Sequence, residues 1–181
     1  MKQLIIVFTF LIAACSLNAQ GFYSFSVPKI EGGNQSINSY QNKMVLIITL
    51  PVQQGAGNDS LLHSIDSLGA ANNSSLQIIA VPSYEDGFSA ANRITLMNWY
   101  RSQLNASIVI TDGLYTRQSS GSQQHPLFQW LTDKDKNGHL DIDVTGPRMK
   151  FFIWTDGILT GVLGAQTKLG GAAMQGLLNG Q

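Results

Sequence analysis

Apolar and polar positions change register several times along the chain, and each change predicts an element. Phe25, Val27 and Ile30 alternate with polar residues, Gly32-Gly33 interrupts the pattern, and it resumes at Ile37, which predicts a hairpin over residues 22–37. From Met44 to Leu50 the run is apolar apart from Thr49, the pattern of a central strand buried on both faces. Asn58 can then cap a helix with Asp59 and Ser60 in its first turn; Leu61, Leu62, Ile65 and Leu68 share one face, and Gly69 suits the stop. A second buried strand, residues 75–82, ends at Pro82. Ile94, Met97, Tyr100 or Arg101, and Leu104 give a helix over residues 90–104, and residues 107–111 a third strand. Pro126 opens a short helix over residues 125–131. Residues 150–164 read as two strands around the turn Thr155-Asp156-Gly157, and the glycine-rich tail from Gly170 to Gly180 as a weak last helix. The Ser/Gln-rich stretch 117–124 reads as a surface loop.

Strands alternating with helices imply an α/β fold, a central mixed sheet covered on both faces, with an N-terminal hairpin. The 181 residues suffice for one domain, with no internal repeat or interdomain linker. Only 12% of the residues are charged and the net charge is zero. Without a basic stripe, binding to nucleic-acid phosphates has no support.

The first residues have the pattern of an export signal. Lys2 precedes the apolar run from Leu4 to Ala14, which is too short to span a bilayer. Two cleavage sites compete. Cleavage after Ala19 makes residues 1–19 a signal peptide and residues 20–181 the domain. Cleavage before Cys15 leaves a lipidated Cys15 and a membrane-anchored lipoprotein. The expectation is an exported bacterial protein, periplasmic or lipid-anchored, with no transmembrane helix in the mature chain. Cys15 is the sole cysteine, so on either reading the mature domain has no free thiol and no internal disulfide.

Four strings carry a resemblance. "FYSFSV" with Gly32, Ile37 and Tyr40 looks like an N-terminal hairpin, and "KMVLIITLPVQQG" like a strand leading to a reactive residue. "LQIIAVPS" looks like the strand and proline before a conserved-type glutamine, and "HPLFQWL" followed by "KFFIWTDG" like a helix and closing hairpin. Together, over roughly residues 22–164, the chain resembles the glutathione peroxidase family, which implies a thioredoxin-like fold. The resemblance also implies a role in the oxidative stress response. The family's chemistry uses a cysteine or selenocysteine that attacks peroxide, with Gln, Trp and Asn donating hydrogen bonds to it. The matching positions here are Gln54, Glu85, Gly146 and Pro147. Gln54 cannot act as a peroxide nucleophile, an ionised Glu85 raises rather than lowers a neighbouring thiol's pKa, and neither Gly146 nor Pro147 offers a side-chain donor.

Other chemistry is thinner. Asp133, Asp135, Asn137 and Asp141 fall at calcium-loop spacing with Gly138 at the sharp turn, but Val144 stands where the bidentate Glu belongs. The alternatives there are a weak Ca2+ site and a plain polar turn; no other cofactor is implied. Glu85 and Asp86 read as solvated surface acids without a catalytic partner. His63, His125 and His139 lack the spacing of a ligand set, and neither a G-x-S-x-G elbow nor a phosphate loop is present. Trp99, Tyr100, Trp130 and Trp154 read as core or rim packing. The sequence therefore points to a pseudoenzyme with a binding or structural role toward an unnamed protein or small molecule. The alternative is a hydroperoxide-reducing enzyme working by non-thiol chemistry.

Overall fold

The computed structural model describes residues 21–180; the leader, including Cys15 and both cleavage sites, lies outside the described residues. A short 3-10 turn, Phe22–Ser24, leads into an antiparallel hairpin of β1 (Ser26–Pro28) and β2 (Asn34–Ser36). Gly32 and Gly33 turn it, at φ 100° and 74°, where residues with a Cβ are strained. The main sheet holds β3 (Met44–Leu50), β4 (Leu76–Pro82), β5 (Val109–Ile110), β6 (Lys150–Ile153) and β7 (Leu159–Leu163) in the order β5-β4-β3-β6-β7. β3, β4 and β5 run parallel, while β6 and β7 are antiparallel additions, so the sheet is mixed as expected.

The two-residue alternation along the strands builds two cores. Leu46, Ile48, Leu50, Ile78, Ala80 and Phe152 pack under α1 (Ala56–Ala71), α2 (Arg93–Gln103) and α5 (Ala172–Leu178). Val45, Ile47, Ile79, Val81, Phe151 and Ile153 face the N-terminal hairpin and α3 (Pro126–Thr132). Helices therefore cover both faces. Trp99 and Trp130 are buried, the latter against Phe22 with ring centroids 5.6 Å apart, so these tryptophans are packing residues.

Four local expectations need correction. Helix α1 starts at Ala56 rather than after Asn58, because the Asn58 amide donates to the Gln53 carbonyl (2.7 Å) instead of capping. It also runs past Gly69 to Ala71. Gly69 is an interior helix residue whose missing side chain lets α1 lie close on Ile78 and Ile108, which a Cβ would meet at 3.4 Å. The stretch 117–124 is not a free loop: Gln118–Gln123 form 3-10 turns and Gln124 is buried, donating to the Thr116 carbonyl (3.0 Å) and the Thr132 hydroxyl (3.1 Å). The calcium-like segment folds as a one-turn helix, α4 (Lys134–Asn137), rather than an ion-binding loop.

Candidate functional site

The β3–α1 junction is fixed by neighbours on both sides. Tyr100 of α2 is fully buried and donates its hydroxyl to the Pro51 carbonyl (2.8 Å). Burial with no charged partner pushes that phenol far above its ordinary range. Trp99 donates its indole N–H to Asp59 (2.7 Å), tying α2 to the first turns of α1. Thr49, the one hydroxyl in the apolar run of β3, faces the 146–149 loop. Its Oγ1 donates to the Gly146 carbonyl (3.0 Å) and accepts from the Met149 N–H (2.9 Å). The Arg148 N–H donates to the Thr49 carbonyl (2.7 Å).

These anchors bring the strand-end loops together. Pro51, Val52, Gln53, Asn58, Asp86, Pro147 and Arg148 line a cavity of about 330 Å3. Three of the family-like regions meet here, but mostly through neighbours of the residues the alignment singled out. Gln54 is exposed beside Gly55, and Gln53 lines the cavity. Asp86 lines it in place of Glu85, and Pro147 in place of Gly146, whose carbonyl is spent on Thr49. Arg148 had no signal in the sequence. It takes φ 73°, uncommon for a residue with a side chain, and its guanidinium donates to Asn58 Oδ1 (2.6 Å).

Glu85 is a tether, not a solvated acid. Its carboxylate turns away to the 116–120 segment, where Oε1 accepts from the N–H groups of Thr116 (2.8 Å) and Arg117 (2.9 Å) and from the Ser120 hydroxyl (2.6 Å), and Oε2 from the Ser83 hydroxyl. Partial burial raises the cost of its charge, yet the bonds from Arg117, Ser120 and Ser83 together outweigh burial and hold its pKa below the ordinary value. Asp86 pairs with Arg117. Its pKa is raised: burial dominates, Arg117 opposes it and Glu85 adds to it.

Two of the four residues at calcium-loop spacing are engaged within the chain. Asn137 is buried with its amide donating to the Trp130 (2.9 Å) and Leu140 (2.8 Å) carbonyls and its oxygen accepting from His139 and Leu140 N–H. Asp133 caps α4, accepting from the Asp135 N–H (2.9 Å). Among the described residues no three His, Cys, Asp or Glu side chains converge as a metal site requires. His125 accepts from the Leu127 N–H at the start of α3 (3.2 Å), and burial lowers its pKa, a structural assignment. No described helix is long and apolar enough to cross a membrane.

No protein-family model matches the chain. A glutathione peroxidase from Lactococcus lactis subsp. cremoris (strain MG1363) is 27% identical over 142 residues, covering 75% of this chain and 84% of that protein. Among solved structures, apo Trgpx superposes with a TM-score of 0.63 at 20% identity, covering 88% of this chain and 92% of its own. The T. cruzi enzyme GPX1 gives 0.62 at 14%, covering 87% and 94%. MTB dsbF, in mixed oxidized and reduced forms, gives 0.54 at 10%, covering 88% and 96%. The mixed five-stranded sheet and these superpositions agree: the chain has the thioredoxin-like fold that those structures share, and in sequence it is similar to a glutathione peroxidase.

Proposed function

We propose that the domain is a non-catalytic relative of the peroxidases, exported to the periplasm or held on a membrane by lipid, and acting as a binding module. One observation carries the reading: no residue from 21 to 180 is a cysteine, and Gln54 stands at the position that the sequence resemblance matches to the thiol. The surroundings support it. An amide is not a nucleophile toward peroxide, and the carboxylate at position 85 is committed to backbone N–H groups rather than to the cavity. What persists is the scaffold around the strand ends, lined by Asp86, which is paired with Arg117, and by Arg148.

The test is hydroperoxide consumption by the processed protein with glutathione or with thioredoxin and its reductase. No turnover above the buffer rate is expected. Robust turnover would overturn the reading and favour non-thiol peroxidase chemistry. Fractionation followed by mass spectrometry of the N-terminus tests export: a free residue 20 or an acylated Cys15 supports it, and an intact leader in the cytosol refutes it.

A further inference from the structure

Beside the strand-end cavity lies a larger cleft of about 580 Å3, between the first turns of α1, the start of β6 and the segment 165–171. Arg148, Lys150 and Lys168 all line it, with Ser60 and Ser64 of α1, and no carboxylate does. This is unusual for a chain with zero net charge and only 11 lysines and arginines. Among the described residues, the ion pairs engage Arg93, Arg101, Arg117 and Lys136, and none of the three cleft cations has a carboxylate within reach.

Two of the three cations are fixed in place, while Lys168 is exposed at the cleft edge. Lys150 is only 1% exposed, and its Nζ donates to the carbonyls of Gly164 (3.1 Å) and Thr167 (2.7 Å). An ammonium has three N–H donors, so one remains. Arg148 is held by Thr49 and Asn58 in a left-handed backbone conformation, a strain that persists only where surroundings over-determine it. A buried Lys150 beside the half-buried Arg148, with no carboxylate lining the cleft, is unfavourable without a counter-charge. In keeping with that, burial, and next the Arg148 charge, push Lys150 down to about 8.

We propose that this cleft binds a small oxyanion, a phosphate or a carboxylate, between Arg148, Lys150 and Lys168, with Ser60 as a neutral donor; the Ser64 hydroxyl donates to the Ser60 carbonyl (2.8 Å). The guanidinium of Arg148 suits two oxygens of such a group, and Arg148 also lines the strand-end cavity, so an anion here abuts that cavity. The inference rests on the binding role proposed above and gives its ligand a class.

The test is calorimetric titration and thermal shift of the processed protein at low ionic strength, in separate arms with inorganic phosphate and with succinate. Variants are Arg148→Asn, which tolerates the left-handed backbone, Lys168→Gln, their combination, and the remote Lys134→Gln. Saturable binding in the millimolar range or tighter is expected in at least one arm, weakened about tenfold or more in the double variant and unchanged in Lys134→Gln. Lys150→Met is checked by circular dichroism before use, since it sits in the core. Absence of a shift up to about 20 mM of either anion, or equal binding in wild type and double variant, overturns the proposal. Peroxide turnover is read on the same samples. Turnover with intact anion binding overturns only the non-catalytic reading, and no turnover with no binding overturns only the anion site.

Discussion

Replacing Glu85 probes whether the position matching the family's glutamine has been converted from chemistry to architecture. In Glu85→Ala, the N–H groups of Thr116 and Arg117 lose their acceptor, as do the hydroxyls of Ser120 and Ser83. Hydrogen bonds to a charged group contribute roughly 1.5–3 kcal/mol each. Glu85 is only half-buried, so water replaces part of the loss and the hydroxyls can turn to solvent. Counting the two backbone donors at a discount gives a destabilisation of about 2 kcal/mol. For a domain of this size that lowers Tm by about 4–8 °C. Glu85→Gln keeps an oxygen for the two N–H groups and loses the charge, so about 1 kcal/mol is expected. The pH dependence follows from the sign of the shift. The folded carboxyl sits below its ordinary value of 4.5. Its stabilisation is therefore complete above that value and disappears as pH falls through the folded one. Urea titrations of wild type and both variants, at neutral pH and at several values below pH 4.5, measure both quantities. A wild type and Glu85→Ala difference under about 0.5 kcal/mol at neutral pH refutes the tether, as does a wild type and Glu85→Gln gap that does not shrink in acid.

Lys150 gives a pH dependence of the same sign in the alkaline range. With its folded value at about 8 against 10.5 unfolded, the unfolded chain binds more protons between those values, so stability rises with pH across that window, by at most roughly 3 kcal/mol. Subtracting the Lys150→Met curve from wild type isolates this rise, and a flat difference refutes it. Gly113→Ala drives a Cβ into the Phe88 ring in a backbone at φ 65°; a loss of roughly 2–4 kcal/mol in chemical denaturation is expected. Gln54→Cys restores a thiol but not its hydrogen-bond donors. Stopped-flow with hydrogen peroxide should give a rate within about tenfold of free cysteine, and a rate a hundredfold faster would show that the scaffold still activates a thiol. Adding several millimolar calcium should leave Tm unchanged, because Asn137 and Asp133 are spent on backbone groups.

The sequence by itself determined the order of elements and the two-faced sheet. The apolar runs of Met44–Leu50 and Leu76–Pro82 and the apolar stripe Leu62, Ile65 and Leu68 are local consequences of burial, which need no knowledge of partners. It also determined the absence of a cysteine from the domain, which is a matter of composition. Helix ends were less legible. Asn58 has the composition of a cap, yet it is used as a donor to Gln53, and Gly69 has the composition of a stop, yet it is a packing notch against Ile78 and Ile108. Both choices depend on what lies opposite. The site depended on tertiary structure almost entirely. Whether Glu85 is solvated or tethered is decided by residues 116–120, about thirty positions later. The grouping of Arg148, Lys150 and Lys168 exists because β6 and the segment after β7 both pass beside α1. A local pattern reports which face of an element is buried; only the fold decides which distant polar groups then face one another.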